Sequence, residues 1–160
     1  METHGNTQVA GNENNGSPSF PLVGKWLGYG GVIPFVALAL NNALGLDVLN
    51  IADPTVKLLG YGAVIISFIG AVHWGVALQA DRSRQTRLFI YSVLPALAAW
   101  GWFFAAAKTA LIGMALTIVV LFFVDRFLFP DLLPSGYLKM RLHLTIIVAT
   151  CLLLASIGVA

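Results

Sequence analysis

The sequence predicts an all-α, polytopic membrane bundle of five transmembrane helices, with its N-terminus inside and its C-terminus outside. Two observations set the class and a third sets the direction. Of the 160 residues, 58% are hydrophobic and only 10% charged, with a mean hydropathy of +0.84. A soluble domain carries about a quarter charged residues, because its surface must face water. The apolar residues gather into five runs, each close to the roughly 20 helical residues that cross a hydrocarbon core. A backbone in hydrocarbon must satisfy its own hydrogen bonds, which leaves the helix as the reading of each run. The third observation is that the basic residues lie almost entirely on one side.

Residues 1–25 precede the runs and read as a disordered cytoplasmic tail. Met1 to Phe20 is rich in Asn, Gly, Ser and Thr and holds no Lys or Arg. It has neither the basic start and apolar core of a secretory signal nor the arginines of a mitochondrial presequence. Residues 26–160 form the membrane domain, with helices expected at 26–46, 57–79, 88–107, 109–129 and 138–159. Asn41, Asn42, Asp47 and Asp53 mark the end of the first helix and the turn that follows, and Asp53-Pro54 is a turn signal ahead of the second. The third and fourth helices meet at Lys108-Thr109, so a tight hairpin is expected there. With five crossings, the tail, the loop after the second helix and the loop after the fourth share one side. That side holds Lys25, Arg82, Arg84, Arg87, Arg126, Lys139 and Arg141, against Lys57 and Lys108 on the other. The bias places the N-terminus in the cytoplasm, and the expected location is the bacterial inner membrane. Trp26, Trp74 and Tyr137 fall towards the inner interface, Tyr61 and Trp102 towards the outer one.

The second helix carries the clearest packing pattern. At about 100° per residue, Gly60, Ala63, Ser67, Gly70, Ala71, Gly75 and Ala77 fall on one side, with Tyr61, Ile65, Phe68, Ile69, Val72 and Val76 opposite. Small residues let helix backbones approach in lipid, so this helix is expected to be central. Pro34 and Pro95 deprive the carbonyls of Gly30 and Tyr91 of their usual donors, which predicts static kinks. Gly-Tyr-Gly opens both the first and second runs, at Gly28-Tyr29-Gly30 and Gly60-Tyr61-Gly62. Because both triplets start full-length helices, they read as packing elements rather than as an ion filter.

Polar chemistry collects towards the inner end. His73 lies about 9 Å from the inner end of the second helix at 1.5 Å per residue, and His143 at a similar depth in the fifth. Asp125 and Arg126 close the fourth helix, and Arg141 opens the fifth. The expected pairs are Asp125 with Arg141, and His73 with Thr145 or Asp125. Ionisable groups inside a membrane default to a functional reading, while long basic chains near helix ends also snorkel to the phosphates. Cys151, the single cysteine, excludes an intramolecular disulfide and a thiolate-rich metal site. No nucleophile elbow, P-loop, zinc or dinucleotide motif is present, so no catalytic residue, metal or cofactor is expected. A bis-imidazole haem would need His73 and His143 to face one another.

Three segments resemble a known family. They are Trp26-Leu27-Gly28-Tyr29-Gly30-Gly31-Val32-Ile33-Pro34-Phe35, the run from Tyr61 to Gly75, most specific at Ser67-Phe68-Ile69-Gly70-Ala71-Val72-His73-Trp74-Gly75, and Tyr137-Leu138-Lys139-Met140-Arg141-Leu142-His143-Leu144-Thr145. Together they are similar to the bacterial and mitochondrial membrane family that includes transmembrane protein sixty-nine. The resemblance implies a single five-helix domain and sets His73, Trp74, Arg141 and Thr145 at signature positions; His143 lies outside the pattern. It implies architecture and candidate residues, not a reaction. The candidate polar cluster is therefore Ser67, Gly70, His73, Trp74, Asp125, Arg126, Tyr137, Arg141 and Thr145. The expected function is that of a non-enzymatic accessory or assembly partner acting through helix contacts. The alternative is a small-ligand or proton-coupled carrier using the site around His73. Expected partners are the lipid bilayer and a membrane protein or a second copy of the chain, with no nucleic acid.

Overall fold

Helix formation in this chain is governed by hydrocarbon-length apolar runs, and the interruptions fall where the backbone loses a donor or gains a competing contact. The computed structural model describes residues 21–45, 52–129, 133 and 135–159; Met1 to Phe20 and Asp47 lie outside them. The helices are α1 (Leu22–Gly30), α2 (Ile33–Leu44), α3 (Pro54–Ala77), α4 (Arg82–Gly101), α5 (Ala107–Leu128) and α6 (Ser135–Ile157). They make five spans long and apolar enough to cross a membrane: Leu22–Leu44, Pro54–Ala77, Arg82–Phe104, Ala107–Leu128 and Gly136–Ile157. No strand occurs among the described residues.

The first span starts at Leu22, ahead of the expected Trp26, and is broken once. Pro34 lies in the first turn of α2 and has no N–H to offer the Gly30 carbonyl, so α1 stops at Gly30. The turn tightens there, with the Val32 N–H donating to the Tyr29 carbonyl at 3.0 Å. Beside it, the Gly31 carbonyl accepts a hydrogen bond of 2.9 Å from the Tyr61 hydroxyl, and the Tyr61 ring packs on Phe35 at 5.0 Å between centroids. The two Gly-Tyr-Gly segments thus meet: the tyrosine of the second clasps the break behind the first. Tyr61→Phe should leave that carbonyl without its donor and lower stability by about 1 kcal/mol. Thermal unfolding in detergent measures it.

α3 is central, packing on α4 most extensively and also on α2 and α5. Its buried face differs from the expected small-residue stripe. Leu58, Leu59, Gly62, Ile66, Ile69, Gly70, His73 and Ala77 are buried, whereas Ala71 and Gly75 are exposed. A helix with neighbours on several sides buries large residues wherever the gap is wide and glycine only where a backbone closes in. Gly70 marks such a place, since a Cβ there would meet the Ser92 carbonyl and the Pro95 ring of α4. Around the middle of the bundle Phe35, Leu58, Ile66, Leu111, Met114, Ile118 and Leu152 form a fully buried core.

The hairpin between the third and fourth spans turns earlier than Lys108-Thr109. A 3-10 turn at Trp102–Phe104 ends α4, extended Ala105 and Ala106 reverse the chain, and Lys108 already lies in the first turn of α5. Trp102 holds the turn closed. Its Nε1–H donates to Thr117 Oγ1 at 3.0 Å, and its indole lies over Gly113, where a Cβ would collide with it. At the same end of the bundle, Asn42 and Thr55 exchange side-chain hydrogen bonds of 2.8 and 3.1 Å, tying the end of α2 to the start of α3.

Candidate functional site

The core stripe of α5 runs through Leu111, Met114, Ile118 and Leu121, and its next position is Asp125. The stripe of α3 through Ile66, Ile69 and Gly70 continues to His73. On α6 the buried positions Leu152, Val148 and Thr145 lead back to Arg141. Three helices therefore place ionisable side chains at registers that elsewhere hold apolar ones, all near the end of the bundle where α3 and α5 finish. Asp125 is fully buried, and His73 and Arg141 are 2% and 4% exposed.

Such groups persist in a low-dielectric interior only when paired. Asp125 is the hub. Its Oδ1 lies 3.1 Å from His73 Nε2 and its Oδ2 lies 3.5 Å from Arg141 Nε. The Tyr91 hydroxyl donates towards Oδ1 at 3.5 Å. Arg141 Nη1 donates to Thr145 Oγ1 at 3.2 Å, one turn along the same helix face. Around the imidazole, Tyr91 stands edge-on at 4.7 Å and Phe129 at 5.4 Å between centroids. Neither ion-pair contact has the geometry of a hydrogen bond, and His73 Nδ1 and Arg141 Nη2 have no hydrogen-bond partner among the described residues. A carboxylate only accepts, so a neutral His73 carries its hydrogen on Nε2 and presents a lone pair at Nδ1. His73 Nδ1 and Arg141 Nη2 are both enclosed by protein.

An apolar cavity of about 380 Å³ adjoins it, walled by α1, α3 and α6, with Phe35 and Ile118 at its deep end. Tyr137 and Arg141 supply the polar side chains in its lining.

Of the sequence-predicted residues, the structure brings His73, Asp125, Arg141 and Thr145 into one cluster, with Tyr137 beside Arg141 on the cavity wall. Ser67 bonds back to the Ala63 carbonyl of its own helix at 2.8 Å, and Gly70 serves the α3–α4 contact. Trp74 turns away and packs on Phe89 at 4.8 Å; Arg126 is exposed, its guanidinium 6.0 Å from the Phe127 ring. His143 is exposed as well, its Nδ1 3.2 Å from the Tyr29 hydroxyl. Sequence reasoning missed Tyr91 and Phe129. A signal existed for Tyr91: a phenol in the middle of an apolar run needs a polar partner, and Asp125 is within reach.

A family model described as a protein of unknown function, DUF3429, matches residues 20–157, and the chain belongs to that family. Over 83 residues, half of this chain, it is 37% identical to Transmembrane protein 69 of Xenopus tropicalis, and the matched part is 32% of that protein. Both findings agree with the resemblance carried by the first, second and fifth helices. No solved structure matches the chain.

Proposed function

We propose that this family member is a non-enzymatic, small-ligand-binding protein of the bacterial inner membrane, with its working site at the His73–Asp125–Arg141 cluster and the adjoining cavity. The excess of basic residues at that end supports a site in the cytoplasmic half of the bilayer. One observation carries the reading: Arg141, ion-paired with Asp125, also stands in the lining of a cavity of about 380 Å³ that is otherwise apolar but for Tyr137.

The test compares small molecules co-purifying with wild type, His73→Leu and Arg141→Met after mild detergent extraction. A molecule enriched on the wild-type chain and lost from both variants is expected. Bulk lipid in the same proportions on all three proteins would refute the reading, and variants that differ only in thermal stability would make the cluster structural.

A second reading, an accessory partner acting through helix contacts, draws on the outward side of α3. A Cβ at Gly60 or Gly75 would meet nothing within 4 Å, so a neighbouring helix has room to approach closely. A defined protein co-migrating with wild type and lost with Gly60→Leu/Gly75→Leu supports it; a partner-free monomer in both cases counts against it.

A further inference from the structure

We infer that the cavity holds one acyl chain of an anionic phospholipid, with the lipid's phosphate seated at Lys25 and Lys139. The inference rests on the ligand-binding reading above and names the ligand class.

The chemistry of the wall selects a hydrocarbon chain. Apart from Tyr137 and Arg141 the lining is apolar. Arg141 Nε and Nη2 are enclosed by protein and Nη1 donates to Thr145, so the guanidinium is committed to the protein itself. A polar molecule would leave its own donors and acceptors unmet against such a wall. With nothing beside it, the wall forfeits dispersion contacts that a methylene chain restores. The way in is through lipid. Leu27 on α1 and Phe68 on α3 belong to the lining and are 73% and 68% exposed, so the slot between these helices admits a chain sideways from the bilayer.

Length then matches the chain to one leaflet. On α1 the lining runs from Gly24 to Phe35, and on α6 from Tyr137 to Val148. Each stretch is about 16 Å at 1.5 Å per residue, and half of a hydrocarbon core is about 15 Å. Trp26 and Tyr137 set the mouth at the interface, where amphipathic rings collect. The cavity therefore reaches from the interface to the middle of the bilayer. A volume of about 380 Å³ spread over that length has a mean width about a third of its length. Those are the proportions of one extended chain rather than of a compact ring.

Charge at the mouth selects the headgroup. α1 and α6 meet where a Cβ on Gly28 would lie 3.1 Å from Met140 Sδ. Lys25 lies less than one turn before that contact on α1, and Lys139 is next to it on α6. Both lysines are exposed, and neither has an ion-pair partner among the described residues. Neither helix contains an acidic residue. Two cations without a counter-ion favour an anionic headgroup over a zwitterionic one, which brings its own cation.

The test places the full chain in nanodiscs of equal parts phosphatidylglycerol and phosphatidylcholine, extracts it in mild detergent, and counts the retained lipid by native mass spectrometry. One phosphatidylglycerol per chain is expected, favoured about tenfold or more over phosphatidylcholine. Lys25→Gln and Lys139→Gln should each cut that preference about fivefold, the equivalent of about 1 kcal/mol for a lysine near a charged membrane surface. Val72→Trp, which fills the cavity from α3, should abolish retention of either lipid while the protein still unfolds cooperatively. Undiminished retention by a folded Val72→Trp protein overturns the seat and leaves only annular lipid. Phosphatidylcholine held as firmly as phosphatidylglycerol, or lysine variants that keep the full preference, overturn the headgroup assignment, and these exposed positions decide the matter even if Val72→Trp does not fold. If another small molecule is lost from His73→Leu and Arg141→Met while no phospholipid stays on the wild type, this inference falls and the ligand-binding reading stands. A phospholipid held equally by wild type and both cluster variants keeps this inference and removes the cluster from the site. If no molecule distinguishes any of the variants, both fall.

Discussion

Asp125→Ala is expected to destabilise the protein by about 3–5 kcal/mol, the cost of leaving buried charge without its counter-ion. The carboxylate is fully buried and is the group that both His73 and Arg141 approach, at 3.1 and 3.5 Å. Its removal strands a guanidinium that retains only Thr145, and it takes the acceptor from the Tyr91 hydroxyl as well. The readout is built in. Cys151 is the single cysteine and is buried in α6, so its labelling by a thiol-reactive dye on heating reports opening of the bundle. The informative companion is the triple variant His73→Leu/Asp125→Leu/Arg141→Met. Buried ion pairs are often replaced by apolar groups of similar volume at no cost or with a gain. The triple variant should therefore recover most or all of the loss while binding no ligand. Recovery of stability without recovery of binding separates the chemistry of the cluster from its packing. A triple variant as unstable as Asp125→Ala would instead make the ion pairs themselves the glue of α3, α5 and α6.

How much of this was readable beforehand depends on which physics decides each feature. The five spans are written in hydropathy because lipid leaves the backbone no alternative to the helix, and the spans of the structure overlap all five expected runs. The break in the first span is equally local, since Pro34 removes one donor wherever it stands. Tyr61 as the donor that answers the break is not local; it comes from a different helix, through a contact made only by packing. The hairpin shows the opposite error. Lys108-Thr109 looked like the turn because it is polar, but Lys can sit in a first turn with its ammonium extended to water. The chain reverses instead at two alanines, beside a tryptophan anchored on Thr117.

The site divides along the same line. Depth is legible from residue count, so His73, Asp125 and Arg141 could be set at one level of the bilayer. Rotation is less so. Asp125 and Arg126 are neighbours about 100° apart on α5, and only the stripe from Leu111 to Leu121 shows that the aspartate faces inward and the arginine outward. Trp74 beside His73 follows the same rule, directed away onto Phe89. Phe129 carried no signal, because an aromatic residue at the end of an apolar run is equally at home facing lipid.

Gly70→Val is expected to cost about 3 kcal/mol, the upper part of the usual range for overpacking, because nothing around it can yield. A Cβ at this position would run into the backbone carbonyl of Ser92 and lie 3.1 Å from Pro95 Cγ and 3.3 Å from its Cβ. A carbonyl inside a helix and a proline ring are not flexible chain ends, so relief must come from separating α3 and α4, the most extensively packed pair in the bundle. Gly75→Ala is the control on the same helix. A Cβ there meets nothing within 4 Å, and exchanging glycine for alanine in a helix interior should stabilise by about 0.5–1 kcal/mol. The pair also probes the site. Gly70 precedes His73 by three residues, less than one helical turn, and Tyr91 on α4 is the ring edge-on to that imidazole. Pushing α3 from α4 draws His73 away from Tyr91 and loosens its approach to Asp125. Gly70→Val should therefore weaken ligand binding even at temperatures where the protein stays folded, while Gly75→Ala leaves binding intact. Equal binding by the two folded variants would show that the cluster tolerates movement of α3, and that the close α3–α4 contact serves stability alone.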